Sequence, residues 1–169
     1  MANKYNCEKC SKKGVYTYID KHFCENHFLE IVEKTVRRNF RKYKIQKNED
    51  LRIDGSLAKY FVDKVLTMPY KISKKDSARV ITEITLDDLD VAFLDNILNN
   101  SSNVLFNEKF INIFENLPSS VINDFCKIKN ISFTKKVSKL EKDLSLLESK
   151  YPGTKNSLFK CVKQLGELK

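Results

Sequence analysis

A chain of 169 residues with 41% apolar content is long enough for one folded domain with a core, and its composition is not that of a disordered protein. No run approaches the roughly 20 apolar residues a membrane span requires, and no apolar stretch follows the first lysine, so a soluble cytoplasmic protein without a secretory signal is expected. The net charge of +9 is unevenly spread, which makes a polyanionic partner a first candidate, while the lack of an apolar span argues against a membrane.

In chain order, Val15–Ile19 is rich in β-branched and aromatic residues and suits a short strand, and His22–Cys24 suits its return. A helix is predicted from near Glu25. Phe28, Ile31, Val32, Val36, Phe40 and Tyr43 recur at spacings of three and four and form one apolar stripe. Leu51–Gly55 reads as a short strand and turn. Ser56–Leu66 is helix-compatible, with Leu57, Phe61, Val65 and Leu66 on one side, and Met68-Pro69 ends it. Lys71–Ser77 reads as polar loop and Ala78–Thr82 as a strand. Thr85 is placed to cap a helix from Leu86, with Asp87 and Asp88 in its first turn and Val91, Phe93, Leu94, Ile97 and Leu98 as its apolar side.

Asn99–Asn103 reads as a loop, Val104–Phe114 as a helix stopped before Pro118, and Ser119 or Ser120 as the cap of the next helix. Val137, Leu140, Leu144 and Leu147 mark another helix, broken at Tyr151-Pro152-Gly153. Leu158, Phe159, Val162 and Leu165 mark the last. The fold class expected is mainly α with a small N-terminal β zinc ribbon: 1–27 as ribbon, 28–47 as a basic connecting helix, and 48–169 as a mostly helical domain.

Five cysteines are an odd number for a disulfide framework, and three crowd into the first 24 residues. Cys7 and Cys10 stand as C-x2-C; after thirteen residues Cys24 and His27 stand as C-x2-H. Two such knuckles deliver four ligands to tetrahedral zinc, and a closed shell of four makes the metal structural rather than catalytic. Metal binding supplies folding energy on the order of 10 kcal/mol in small modules, which a segment with little core needs. His22 is the alternative histidine. His27 is preferred because C-x2-H repeats the knuckle geometry and sets the imidazole on the first helical turn.

Between Lys34 and Lys47 lie seven basic residues and no acid. The residues expected to meet RNA phosphates are Arg37, Arg38, Arg41, Lys42 and Lys44, with Tyr5, Tyr16, Tyr18 and Phe23 as stacking faces for unpaired bases. The opposite bias follows: Val80–Glu108 holds six acids and no base.

This order of features resembles the tRNA 2-thiouridine synthases, thiolation enzymes that adenylate a uridine with ATP and replace its oxygen by sulfur. They open with such a ribbon, followed by a basic helix and a PP-loop ATP pyrophosphatase domain. Val36–Lys44 resembles the family's basic helix. Thr82-Glu-Ile-Thr-Leu-Asp-Asp88 resembles its T-G-H-N-L-D-D, and Leu147–Lys160 resembles its L-E-x-K-x-P-G-T-K-x-S-L-x-K. The departures are equally specific. Where the family has its phosphate-cradling S-G-G-K-D-S loop, this chain has Leu51-Arg-Ile-Asp-Gly-Ser-Leu57, and Asp54 puts negative charge where phosphate would sit. Glu83 and Ile84 replace the family's Gly and His. The family's paired cysteines are missing; Cys126 and Cys161 stand alone and read as core cysteines.

The resemblance therefore implies a PP-loop remnant with no catalytic residues and with ATP binding lost. Such a protein would bind tRNA or another RNA, or a catalytic partner of the same family, through a zinc ribbon and basic helix. The alternatives are a zinc-stabilised adaptor whose protein contact is the acidic Val80–Glu108 segment, and an active thiolation enzyme with a remodelled ATP site.

Overall fold

A computed structural model describes residues 5–66, 70–99, 109–135 and 137–167, without the side chains of 165–167. Met68-Pro69, the loop expected beyond Asn99, the first half of the helix expected from Val104, and Leu165 as a core residue fall outside what is described.

The N-terminal strands β1 (Tyr16–Tyr18) and β2 (Lys21–Phe23) form an antiparallel hairpin. Its two-residue turn places Ile19 and Asp20 at φ 46° and 58°, the double left-handed geometry that matches hairpin twist. Helix α1 (Glu25–Lys42) follows, and its stripe is buried as the periodicity predicts: Phe28, Val32, Val36 and Phe40 are all within the core. Phe28 stacks on Tyr16 of the hairpin with ring centroids 4.8 Å apart. At its other end, fully buried Asn39 donates to the Ile113 carbonyl (3.0 Å) and to Asn116 (2.7 Å).

Beyond α1 the chain is α/β, with more sheet than expected. Strands β3 (Asp50–Ile53), β4 (Lys71–Ile72), β5 (Arg79–Thr85) and β6 (Phe110–Phe114) form one parallel sheet in the order β4-β3-β5-β6. The pairing of Leu51–Ile53 with Arg79–Ile81 agrees with the strand pair read from sequence. Two other readings are corrected. Lys71–Ile72, expected as loop, is an edge strand. Phe110–Phe114, expected as the end of a helix, is β6. It is buried on four of five positions, and a strand covered on both faces shows a continuous apolar run with no period of two to reveal it.

Helix α2 (Ser56–Lys64) crosses from β3, and Leu57, Phe61, Val65 and Leu66 are buried as expected. β5 runs directly into α3 (Leu86–Leu98). Thr85 caps α3 in a reciprocal box with Asp88, whose carboxylate accepts from the Thr85 amide at 2.8 Å. Helix α4 (Ser119–Lys129) is capped by Pro118, so Ser119 is its first helical residue rather than its cap. Helices α5 (Lys139–Lys150) and α6 (Thr154–Glu167) pack with α3 over Leu86, Leu89 and Phe159.

The buried face of α3 also differs from the reading. Leu86, Asp87, Leu89 and Asp90 are buried, while Ile97 and Leu98 are exposed. Inward-facing Asp87 is matched by an ion pair with Lys155. Asp90, fully buried, has no hydrogen-bond partner among the described residues at either carboxyl oxygen. Burial, with the nearby Asp87 charge, pushes its pKa up to about 8.

The unfolded chain releases the Asp90 proton near the ordinary carboxyl value of 3.8, while the folded chain holds it to about 8. Unfolding therefore loses a proton in that window, and rising pH favours the unfolded state by up to about 1.4 kcal/mol per unit. Asp90→Asn should remove this dependence. Denaturant midpoints of the variant relative to wild type should rise steadily from pH 5 to pH 8; a constant offset would show that Asp90 is charged throughout.

Candidate functional site

The first site is built by the knuckle, the hairpin and the start of α1. The Cys7 amide donates to the Lys12 carbonyl at 2.8 Å and the Glu8 amide to the His22 carbonyl at 2.9 Å, which folds the C-x2-C turn against β2. Gly14 is required here, since a Cβ would lie 2.7 Å from that of His22. β2 delivers Cys24, and α1 delivers His27 one turn later. The ligand atoms of Cys7, Cys10, Cys24 and His27 all lie within 4.8 Å of one another. The Cys10–Cys24 sulfurs are 3.8 Å apart, and His27 Nδ1 lies 3.3 Å from Cys7 Sγ and 3.4 Å from Cys24 Sγ.

A tetrahedron with Zn–S near 2.3 Å and Zn–N near 2.0 Å has edges of about 3.8 Å (S···S) and about 3.6 Å (S···N). The four residues therefore fit a tetrahedral metal and can hold one. Burial opposes ionisation of Cys7, but the Cys24 and Lys9 backbone amides and the His27 and Cys10 side chains outweigh it and bring the pKa down to about 6. His22 is not in the cluster. It stacks on Tyr5 at 4.0 Å and hydrogen-bonds Thr17 at 3.1 Å.

The second feature is the C-terminal half of α1. Arg38, Arg41 and Lys44 are exposed, and no carboxylate pairs with them among the described residues. Arg37 is half-buried: its Nε donates to the Val65 carbonyl (3.2 Å) and its Nη2 to Glu33 (3.1 Å). Lys42 behaves differently from its neighbours. Its ammonium bonds Asn39 and pairs with Glu115, which is nearly buried and shared with Lys163, so this charge ties α1 to the end of β6. Of the aromatics expected to stack on bases, Phe23 is in the core, Tyr16 is used against Phe28, and Tyr18 is half-buried; Tyr5 is exposed.

The third feature lies at the C-terminal ends of the parallel strands, where α/β sheets place their ligand crevice. The turn Asp54-Gly55 after β3 leads into α2, whose N-terminal amides would attract an anion. The anion present is the protein's own. Glu83 Oε1 accepts from the Leu57 amide (2.7 Å) and the Ala58 amide (3.0 Å). Gly55, at φ 104°, makes room for this carboxylate, whose Oε1 would lie 2.1 Å from any Cβ there. Sequence reasoning flagged Glu83 as a departure but not its partner.

The neighbouring charges are also internally matched. Lys155 pairs with Asp87, whose second oxygen accepts from the Ser119 amide. Burial disfavours the Asp87 charge, yet Lys155 and Ser119 hold its carboxyl below the ordinary range. Lys135 pairs with Asp88 (2.8 Å) and Glu141 (3.1 Å) and bonds the Ser119 hydroxyl (2.9 Å). The acidic Val80–Glu108 stretch is therefore mostly an inward face: Glu83, Asp87, Asp88 and Asp90 are buried or partly buried, which removes them from the contact surface expected of an adaptor.

Cys126 is buried, and burial with the nearby Glu83 charge pushes its thiol up to about 12. Cys161, expected in the core, is exposed on α6. Among the described residues no helix is long and apolar enough to cross a membrane.

No family model and no curated protein matches the sequence. A solved structure does match in fold. The chain is similar to the U34-tRNA thiolase NcsA from Methanococcus maripaludis, a structure that contains that enzyme's 4Fe–4S cluster, with a TM-score of 0.75 at 13% identity, over 96% of this chain and 87% of that one.

Cobalt(II) added to the reduced, metal-stripped chain should give the intense thiolate charge-transfer bands of a tetrahedral three-sulfur site. Cys10→Ser should weaken them and His22→Ala should leave them intact. A spectrum lost in His22→Ala but kept in His27→Ala would reassign the fourth ligand. The chain thus has the fold of a tRNA thiolase and, at its N-terminus, a Cys3His cluster that can hold a metal.

Proposed function

We propose that this chain is a non-catalytic, zinc-bearing relative of the tRNA 2-thiolation enzymes, acting in the cytoplasm and binding tRNA through the ribbon and the basic end of α1. The observation that carries the non-catalytic part is the Glu83 carboxylate on the α2 amides. At the position where the resemblance puts the ATP phosphates, a covalently tethered anion takes the backbone donors, and a bound polyphosphate would have to displace it against like-charge repulsion. Lys135 and Lys155, which meet residues at the end of β5 and the start of α3, are already neutralised by buried or half-buried carboxylates. Cys126 at a pKa of about 12 is a protonated thiol, not a sulfur nucleophile.

The RNA part rests on the row Arg38, Arg41 and Lys44 at the C-terminal end of α1, exposed and without a carboxylate partner among the described residues, and on the fold shared with a tRNA thiolase. Zinc is the metal proposed. Three thiolates and an imidazole with tetrahedral spacing suit it, and the ribbon's packing on α1 through Tyr16 and Phe28 transmits its order to the basic helix. The metal's contribution is structural; the residues that meet RNA are the chain's own.

The test is a tRNA gel-shift with zinc-loaded and zinc-stripped protein, paired with ATP-binding and pyrophosphate-release assays. Zinc-loaded protein should bind tRNA with strong salt dependence, and Arg38→Ala, Arg41→Ala and Lys44→Ala together should reduce the slope of log K against log salt by at most about three. Lys42→Ala should lower thermal stability more than it lowers the slope. Stoichiometric pyrophosphate release with tRNA would overturn the non-catalytic assignment, and absence of tRNA binding at low salt would overturn the RNA assignment.

A further inference from the structure

Between the end of α1 and the end of α2 lies an open cavity of about 270 Å³. Its rim carries Arg37, Arg41 and Lys44; its floor is Ile45, Val65 and Leu66. The residues are held in place from several directions. Arg37 is fixed by its bond to the Val65 carbonyl, so the two helix ends that form the walls are tied together. Lys44 takes a left-handed backbone at φ 45°, which ends α1 and redirects the chain so that Ile45 falls beneath the cations. Val65 and Leu66 close the floor at 4% and 5% exposure, and Ile45 remains half-buried.

The combination discriminates among anions. A bare phosphate has no use for an apolar floor, and an apolar peptide has no use for three cations. A nucleotide supplies both: a flat base to cover the floor, and phosphates for the rim. Arg37 already pairs with Glu33 at 3.1 Å, so the cations the rim offers to phosphate are Arg41 and, past the end of the helix, Lys44. In an intact duplex the base faces are stacked and unable to reach the floor. Unpaired nucleotides have them free, and single-stranded RNA is recognised by stacking and apolar contact on such faces.

We infer that this cavity is a subsite for an unpaired nucleotide of RNA, the base lying over Ile45, Val65 and Leu66 and the flanking phosphates on Arg41 and Lys44. The subsite rests on the RNA-binding reading above and refines it. The α1 cations then engage a looped or frayed segment of the RNA, not only a helical backbone.

The experiment compares zinc-loaded wild type, Ile45→Ala, Ile45→Asp and Arg41→Ala against three probes: a single-stranded oligouridylate, a blunt RNA duplex of equal phosphate count, and uridine monophosphate. Wild type should bind the single strand at least about tenfold more tightly than the monophosphate. Ile45→Ala should weaken the single strand roughly fivefold to tenfold and Ile45→Asp more, both with less than a twofold effect on the duplex, while Arg41→Ala weakens both polymers. Equal losses for single strand and duplex in the Ile45 variants, no loss in either, or monophosphate binding as tight as the oligomer would overturn the subsite while leaving RNA binding standing. No binding of either polymer by wild type would overturn RNA binding itself and the subsite with it. Circular dichroism and the cobalt spectrum of each Ile45 variant verify that the fold and metal cluster are intact.

Discussion

One helix holds this molecule together. Along α1, Phe28 meets the hairpin, Val32 and Val36 sit at zero exposure, and Phe40 with Asn39 meets the end of β6. The N-terminal residues Cys7, Phe23 and Cys24 thus belong to the same continuous core as Leu51, Ile81 and Ile113 in the sheet. A ribbon alone buries too little apolar surface to offset the entropy of ordering it. Sharing a core with α1, and drawing its four donor atoms to one point, supplies what it lacks. The same arrangement fixes the polar side of α1: with the apolar stripe committed inward, Arg38 and Arg41 have only solvent to face.

The strand ends show the opposite use of charge. Four cations in this half of the protein, Lys42, Lys135, Lys155 and Lys163, each meet a carboxylate that is at most one-third exposed. The most buried of these pairs is Lys155 with Asp87; such a pair seldom adds net stability over apolar replacements, but breaking one partner costs about 3–5 kcal/mol because the other is left stranded. They make the crevice electrically quiet and resistant to rearrangement. Glu83 completes the pattern, since its carboxylate takes the Leu57 and Ala58 amides at the α2 N-terminus. A crevice satisfied in this way has little to offer a polyphosphate.

What could be read from the sequence was what is local. Cys7, Cys10, Cys24 and His27 announce themselves by spacing, and the structure brings their donor atoms together because two-residue knuckles need no distant information. The α1 stripe and the Thr85 cap are likewise local patterns. β6 was not legible: Phe-Ile-Asn-Ile-Phe has no alternation because both faces are covered, and a short apolar run does not distinguish strand from helix. The hairpin turn was obscured by Ile19, a β-branched residue in a left-handed position usually held by Asn or Gly. The partners of Lys42, Glu83 and Lys155 lie 73, 26 and 68 residues away, and nothing in the sequence pairs them. For that reason the ion pair of Lys42 with Glu115 was not legible beside its place in the basic row.

The same distinction bears on where a polyanion docks. Coulomb attraction between exposed charges is weak and screened within about 10 Å at 0.1 M salt, so the total of +9 matters less than which cations keep their charge uncompensated near one another. Lys155 and Lys135 are cancelled by neighbours within 3.1 Å, and a strand approaching the sheet's C-terminal edge meets little net field. Around Arg38, Arg41 and Lys44 no carboxylate intervenes between Glu33 and Glu49 in the chain, and Glu49 is engaged by Arg79. Exposed Arg38, Arg41 and Lys44, which keep their charge uncompensated among the described residues, therefore lie at the C-terminal end of α1, away from the internally paired lysines of α6 and of the segment before α5.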